Sequence, residues 1–232
     1  MIRVLHVSKS FGVVRALDDV CLHVRPGERI GFVGSNGSGK TTLIRAILGL
    51  VRVEGLVTID GVNVATDPEL ALRSVAYIPQ VAPPIEAPVR EVVRAVAALR
   101  RIAVPRVHER AERLGLALDG VQGTRFRDLS GGMKQKLLAA LALAAETQVL
   151  VCDEPTANLD RAARAAFFEQ AAERSTDAVT VLCSHRAEEI ERLVDRVVEM
   201  DSGRVVRDEP AIALVGEAAD VSNERPALRL VR

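Results

Sequence analysis

The stretch Gly34-Ser35-Asn36-Gly37-Ser38-Gly39-Lys40-Thr41 decides how the rest of this 232-residue chain is interpreted. It fits the phosphate-binding pattern G-x-x-x-x-G-K-[ST], with a strand-like run, Arg29 to Val33, before it and a helical pattern after it. The glycines let backbone N–H groups converge on phosphate oxygens, and the start of the helix adds partial positive charge. Lys40 adds a full positive charge, and the Thr41 hydroxyl is suited to bind Mg²⁺. The pattern predicts a nucleoside-triphosphate site.

Two carboxylates end a second strand-like run, Val149 to Glu154. Parallel strands present their ligands at their C-terminal ends, so we expect Asp153 near Mg²⁺, through water, and Glu154 beside the attacking water. A helix cap or a surface acid pair is the simpler alternative.

A second helix start suited to a phosphate lies in the signature turn, Leu129-Ser130-Gly131-Gly132. Ser130 is a good N-cap, and two glycines in the first turn allow close approach to an anion. The same chain already has one such helix start at Lys40, so a second one indicates a site shared between two copies.

The order of strand-like and helical patterns predicts the fold class. Apolar runs of four to six residues separated by helices indicate parallel strands buried on both faces. No strand is predicted between Pro83 and Leu129, where two helices with Arg-rich faces, 89–101 and 106–116, indicate an insertion. That basic stripe is most simply a solvated face, and a partner-docking role is the alternative. We predict an α/β protein with a P-loop core, a β-rich N-terminal part and an inserted helical subdomain.

The motifs and their order resemble the ATP-hydrolysing subunit of an ATP-binding cassette (ABC) transporter, over nearly all of residues 2–206. The resemblance implies a P-loop NTPase fold with a RecA-like core, an N-terminal antiparallel β subdomain and an inserted α-helical subdomain. The chain is then one ABC ATPase domain, 1–232. Its parts would be the catalytic core with the β subdomain (1–82 and 133–210), the helical subdomain with the signature (83–132) and a short tail (211–232). The matching motifs are the Walker A loop at 34–41, Gln80, the signature at 129–133, Asp153-Glu154, the D-loop at 157–160 and His185.

The resemblance also implies a role for each matching residue. Glu154, His185 and Gln80 would be catalytic, and Gln80 would bind Mg²⁺ together with Thr41 and Asp153. The expected nucleotide-binding residues are Phe11, Gly34, Ser35, Asn36, Gly37, Ser38, Gly39, Lys40, Thr41, Thr42, Ser130, Gly131, Gly132 and Asp160.

Four of these residues have structural alternatives. Phe11 would stack on adenine or be an ordinary core residue, and Gln80 would be catalytic or a surface glutamine. His185 would contact the γ-phosphate or serve as a helix cap. Asp160 would cap its helix, reach the partner subunit, or do both.

ATP and Mg²⁺ are the expected cofactors, and a second ATPase subunit, in a homodimer, is the expected partner. The motif order also implies a separate polytopic membrane permease that contacts residues 80–128. The chain would then lie in the cytoplasm at the inner face of the membrane. The run Met133-Lys134-Gln135-Lys136 resembles exporter-type subunits, including multidrug and ion exporters and the copper-site maturation system of nitrous oxide reductase.

Composition argues against several other classes. The formal net charge is zero and aromatic residues are only 3%, which argues against nucleic acid as a partner. Three cysteines without CxxC spacing suit a reducing compartment, and Cys152 and Cys183 are expected in the core. The apolar runs are too short to span a membrane. The alternative function is a non-transport ABC ATPase, either a cell-division or regulatory partner or a soluble DNA-repair or translation type.

Overall fold

A computed structural model describes residues 1–211 of the chain, without the side chains of residues 187 and 188. The predicted C-terminal tail, 211–232, lies outside the described residues except for its first position. In chain order the elements are β1 (Ile2–Phe11), β2 (Val14–Val24), β3 (Arg29–Val33), α1 (Lys40–Ile47), β4 (Glu54–Ile59), β5 (Val62–Asn63), α2 (Pro68–Leu72), β6 (Val75–Ile78), α3 (Val89–Arg100), α4 (Val104–Arg113), α5 (Gly131–Ala144), β7 (Val149–Asp153), α6 (Arg161–Ala172), β8 (Val179–Cys183), α7 (Ala187–Leu193), β9 (Arg196–Asp201) and β10 (Arg204–Pro210). Two 3-10 turns, Leu118–Gly120 and Phe126–Asp128, lie between α4 and α5.

The chain forms two compact units, of which the first contains Met1–Val75 and the chain from Thr176 onward. One of its sheets is antiparallel, with strand order β2-β1-β4-β5. Along β1 and β2 the side chains alternate between the core and solvent, as expected for a sheet with one wet face.

The other strands of this unit have the order β10-β9-β3-β8. Strand β3 pairs in parallel with β8 and β9, whereas β10 pairs antiparallel with β9. Strand β8 is buried along its whole length, as the unbroken apolar run predicts. Strand β3 therefore ends inside a parallel group, with the phosphate loop directly after it.

The second unit contains Ala76–Ser175. Strands β6 and β7 are neighbours in it, and all five residues of β7 are buried. Helix α5 buries most of its residues and packs against α4, α3 and α6. The chain between α4 and α5 folds back on the segment before α3, where the Phe126 N–H donates to Ala87 O at 2.9 Å.

The predicted α/β class, with an antiparallel sheet, a mixed sheet and a helical middle region, is confirmed. Helix α2 is not among the predicted elements, although Asp67-Pro68 is a typical helix start. The Asp67 side chain accepts a hydrogen bond from the Leu70 N–H, and Pro68 is the first residue of the helix. Helix α1 ends at Ile47, because Gly49 adopts a left-handed conformation with φ 64°.

Two details bear on the composition arguments. Cys152 and Cys183 are buried, as predicted, and burial raises the pKa of the Cys152 thiol to about 12. Among residues 1–211, no helix has both the length and the apolar character needed to cross a membrane.

Candidate functional site

The phosphate loop, residues 34–41, is held in a conformation that only glycine permits at two positions. Gly34 and Gly39 have φ of 136° and 106°. A Cβ on Gly34 would lie 2.1 Å from Met200 O, and one on Gly39 would lie 2.5 Å from Ala16 O. The loop therefore passes directly against the backbone of β9 and β2, and its shape depends on both glycines.

Lys40 lies over this loop at the first position of α1. Its ammonium donates to Gly34 O and Ser35 O, each at 2.8 Å, and to Ser38 Oγ at 3.3 Å. The charge is thus fixed beside the loop by three contacts, where the N-terminus of α1 adds to it. Thr41 and Thr42 follow in the first turn, both half-buried. The arrangement suits a polyphosphate.

Gly203, in the turn between β9 and β10, supports the phosphate loop. The Gly203 N–H donates to Ser38 O at 3.0 Å, and Gly203 O accepts from the Asp18 N–H at 2.9 Å. A Cβ on Gly203 would lie 3.0 Å from Ala16 O. The β9–β10 turn therefore joins the phosphate loop to β2. A Ser-Gly pair such as Ser202-Gly203 is typical of a turn, but no local pattern in the sequence predicts that this turn binds the phosphate loop.

Phe11 ends β1 with 51% of its surface exposed, so the core alternative is wrong. The Lys9 ammonium lies 5.0 Å from the ring centroid, in cation–π range. An exposed ring at this position leaves a π-face for a base. The adenine-stacking role remains a prediction.

His185 follows β8 and is exposed, in a turn fixed by buried polar groups. The Ser184 hydroxyl donates to Glu189 Oε2 at 2.7 Å and accepts from the Arg186 N–H at 3.1 Å. Ser184 and Glu189 are 3% and 2% exposed, which makes this bond a firm anchor for the turn. Sequence reasoning named His185 without these two supports.

The signature turn forms as the sequence predicts. Ser130 caps α5, its Oγ accepting from the Met133 N–H at 3.2 Å. A Cβ on Gly132 would lie 3.0 Å from Asn158 O, so a larger residue would push against the D-loop. Ser130 and Gly131 are exposed at the start of the helix. An anion can therefore reach the first turn of α5.

The two carboxylates after β7 are buried, which excludes the surface acid pair. Asp153 is 1% exposed and Glu154 is 9% exposed. Glu154 has φ 50°, a left-handed conformation uncommon for glutamate. The Gln135 Nε2 donates to Pro155 O at 2.9 Å and thereby ties the next residue to α5. In the sequence Gln135 is only a member of the exporter-like run 133–136, and no local pattern predicts its bond to Pro155.

Asp160 caps α6, as expected. Its Oδ1 accepts from the Ala163 N–H at 2.8 Å, and its Oδ2 accepts from Lys136 Nζ at 2.9 Å. The Ala163 N–H, and after it the Lys136 ammonium, holds the pKa of the Asp160 carboxyl below its ordinary value. The further role, contact with a partner subunit, remains a prediction. No sequence pattern predicts the ion pair between Lys136 and Asp160.

Gln80 is exposed, two residues after β6.

The expected site residues are divided between the two units. The first unit contains Phe11, the phosphate loop and His185. The second unit holds Gln80, the signature turn, the Asp153-Glu154 pair and Asp160. In the second unit, buried Asp153 offers hard oxygen atoms of the kind that Mg²⁺ prefers. In the first unit, Thr41 offers a hydroxyl.

Known proteins are similar to this chain over most of its length. The family model described as ABC transporter matches residues 17–157. Nod factor export ATP-binding protein I of Rhizobium etli is 34% identical over 209 residues, which cover 87% of this chain and 66% of that protein. Sulfate/thiosulfate import ATP-binding protein CysA of Xanthomonas campestris pv. campestris is 36% identical over 221 residues, 90% of this chain and 64% of that protein. The chain spans slightly less than two thirds of these relatives.

Solved structures agree on the fold. The structure described as the ATP binding subunit of an ABC transporter matches with a TM-score of 0.83 and 28% identity, over 94% of this chain and 92% of that one. A dimeric ATP-binding cassette in a post-hydrolysis state, bound to ADP and Pi, matches with a TM-score of 0.77 at 23% identity, over 90% of this chain and 98% of that one. The phosphate loop and the buried carboxylates define the chain as a P-loop nucleotide-binding protein. It belongs to the ABC transporter family and has the fold of its ATP-binding domain.

Proposed function

We propose that this chain binds and hydrolyses MgATP as the ATPase subunit of an ABC transporter. One observation carries the proposal: the Lys40 ammonium is fixed over a loop whose Gly34 and Gly39 admit no side chain. Such a loop at the start of a helix binds the β- and γ-phosphates of a nucleotide.

The remaining residues take roles from their chemistry and from the family. Thr41, Asp153 and Gln80 would hold Mg²⁺, which supplies positive charge to the phosphate oxygens. Glu154, held in a buried position, accepts hydrogen bonding from the attacking water and polarises it. His185 orients the γ-phosphate and Glu154. Phe11 stacks on the adenine ring.

We further propose a head-to-tail homodimer. Ser130, Gly131 and Gly132 of one copy close over the γ-phosphate held by the other, and Asp160 reaches across the same interface. In a two-fold dimer both nucleotide sites form together, because each copy contributes the same surface to the interface. The exposed first turn of α5 supports this role, because it is open to an anion from outside the chain.

The proposed membrane partner is a separate polytopic permease that contacts residues 80–128. The chain would then lie at the cytoplasmic face of the membrane, held there through the permease. One relative is named for export and another for import, so the proposal covers the ATPase subunit of either type of transporter. The alternative, a non-transport cell-division or regulatory ATPase, differs in that no permease would copurify.

Glu154→Gln tests the enzymatic role. The amide keeps the size of the side chain but is a poor base, so the variant should bind ATP, form a stable ATP-dependent dimer and lose most turnover. Size-exclusion chromatography with ATP, together with phosphate release, measures both. Turnover at the wild-type rate would refute the assignment of Glu154. Copurification of a polytopic membrane protein with the wild-type chain tests the transporter role separately.

A further inference from the structure

Three side chains of different chemistry meet on the exposed face of β1 and β2, and none of them has a role in the nucleotide site proposed above. His6, Asp19 and Cys21 each offer one ligand atom, and these atoms all lie within 4.8 Å of one another. His6 Nδ1 is 2.9 Å from Asp19 Oδ1, and the His6 backbone N–H donates to Cys21 Sγ at 3.2 Å. A nitrogen, an oxygen and a sulfur are thus already gathered.

Two successive bulges produce this cluster. The β1–β2 register passes from Val4↔Leu22 to Val7↔Val20 and then to Lys9↔Leu17. In the first interval two residues, Leu5 and His6, oppose Cys21 alone. In the second, Asp18 and Asp19 oppose Ser8 alone. One bulge on each strand therefore brings side chains together that a regular ladder would keep apart.

Both bulges place a ligand residue in the left-handed region. His6 has φ 50° and Asp19 has φ 52°. Non-glycine residues adopt this conformation uncommonly, and such outliers gather at functional positions. Neighbouring residues of the same chain hold both backbone conformations. The Asp19 N–H donates to Ser8 Oγ at 3.0 Å, and Gly55 approaches so closely that a Cβ there would lie 2.3 Å from His6 O. The cluster is built into the sheet.

The ligand set selects a class of ion. Thiolate and imidazole favour borderline divalent metals such as Zn²⁺ and Co²⁺, whereas Mg²⁺ and Ca²⁺ prefer oxygen alone. Three protein ligands leave one position of a tetrahedral site for water. We propose that His6, Asp19 and Cys21 form a surface site for a borderline divalent transition metal, with Zn²⁺ as the type ion.

The site needs little rearrangement to bind. The ion would bind His6 through Nδ1, with the ring proton on Nε2, and would bind Asp19 through Oδ1, while the Cys21 thiol would lose its proton to the solvent on binding. The side chains of His6 and Asp19 are 77% and 67% exposed, so their rotamers are free to shorten the distances to a central ion. The backbone, fixed by the bulges, stays as it is.

Titration of the full chain with Co²⁺ and with Zn²⁺ tests the site. Untagged, reduced, chelator-treated protein is used without nucleotide, so that the phosphate site adds no metal. We expect one Co²⁺ per chain with a thiolate-to-cobalt charge-transfer band. Cys21→Ser should remove that band and weaken Zn²⁺ binding by about tenfold or more, and His6→Gln and Asp19→Asn should each weaken it similarly.

His23→Gln is the matched control, because His23 lies on the same exposed face two residues beyond Cys21 and outside the cluster. It should leave Zn²⁺ affinity unchanged. Zn²⁺ should also slow alkylation of Cys21 in the wild-type chain, where Cys152 and Cys183 are buried, and this reading needs no variant. A missing charge-transfer band, unslowed alkylation, or equal Zn²⁺ affinity in wild type and Cys21→Ser would overturn the proposal.

Discussion

The Gln135 side chain, 1% exposed inside α5, donates a hydrogen bond of 2.9 Å to the carbonyl oxygen of Pro155. Pro155 directly follows Glu154, whose backbone is left-handed. The bond therefore joins the helix that begins at the signature turn to the segment that carries the proposed base. A buried amide with one defined partner holds that segment more firmly than apolar packing would.

We predict that Gln135→Leu lowers kcat for ATP by about ten- to a hundred-fold, because a shift of about 1 Å in Glu154 is enough for that loss. The KM for ATP should change less than about twofold, since the phosphate loop is untouched. Steady-state kinetics measures both. Gln135 acts here as a positioning residue.

The control for Gln135→Leu is Leu137→Ala, a cavity in the same helix. Leu137 is fully buried, so its loss costs about 2–5 kcal/mol of stability. If turnover per folded molecule falls equally in both variants, a general weakening of α5 explains the result and the positioning role is wrong.

Gly39→Ala should weaken ATP binding by about tenfold or more, equivalent to about 1.4 kcal/mol. The new Cβ would lie 2.5 Å from Ala16 O with φ at 106°, so the loop has to move. Isothermal titration with ATP measures the affinity. Gly123→Ala is the matched substitution, since no atom lies within 4 Å of its Cβ position. Wild-type ATP affinity in Gly39→Ala would contradict the dependence on this glycine.

How much was predictable depends on how local each signal is. The phosphate loop, the Ser130 cap and the Asp160 cap follow from short patterns, and the structure contains each of them. The bonds from Gln135 to Pro155 and from Gly203 to Ser38 join residues 20 and 165 positions apart, and no local pattern encodes them. The bulges at His6 and Asp19 were missed for the same reason, because a register belongs to a pair of strands.

Acid should weaken the ion pairs of Glu173 with Arg110 and Arg113 in the second unit. Hydrogen bonds from Arg113 and then Arg110 lower the pKa of Glu173 from 4.5 to about 2. Because the pKa of Glu173 is lower in the folded state, its ionised carboxylate stabilises the folded protein above pH 4.5. This contribution is lost as the pH falls from 4.5 towards 2. Glu173 is 45% exposed, so solvent screening keeps the effect below about 1 kcal/mol.

Urea unfolding at pH 7 and at pH 3 measures that contribution, because it is lost between pH 4.5 and pH 2. Glu173→Gln should lose less stability between the two pH values than the wild type loses. Glu169→Gln, at an exposed position of α6 one turn before Glu173, should lose as much as the wild type. An identical pH dependence in Glu173→Gln and wild type would contradict the pKa shift.

Asp160→Asn separates the two roles of Asp160. Asparagine is as good an N-cap as aspartate, so the amide should keep the bond from the Ala163 N–H and lose only the charge facing Lys136. We expect thermal stability close to wild type, whereas Asp160→Ala should lose about 0.5–2 kcal/mol. If Asp160 also reaches the partner, Asp160→Asn should weaken the ATP-dependent dimer in the Glu154→Gln background. Unchanged dimerisation in that background would show that Asp160 serves only as the helix cap.

Phe11→Ala tests base stacking at the exposed end of β1. Stacking on an aromatic ring is worth about 1–3 kcal/mol per base and accepts any base, because every base has a π-face. The variant should therefore raise the KM for ATP and GTP by a similar factor of about five or more. Phe11→Tyr, which keeps the ring, should behave as wild type. The wild-type chain should hydrolyse ATP and GTP at comparable rates, since Phe11 offers no hydrogen bond to distinguish them. A hundred-fold preference for ATP, or a Phe11→Ala variant that binds both nucleotides normally, would show that another group holds the base.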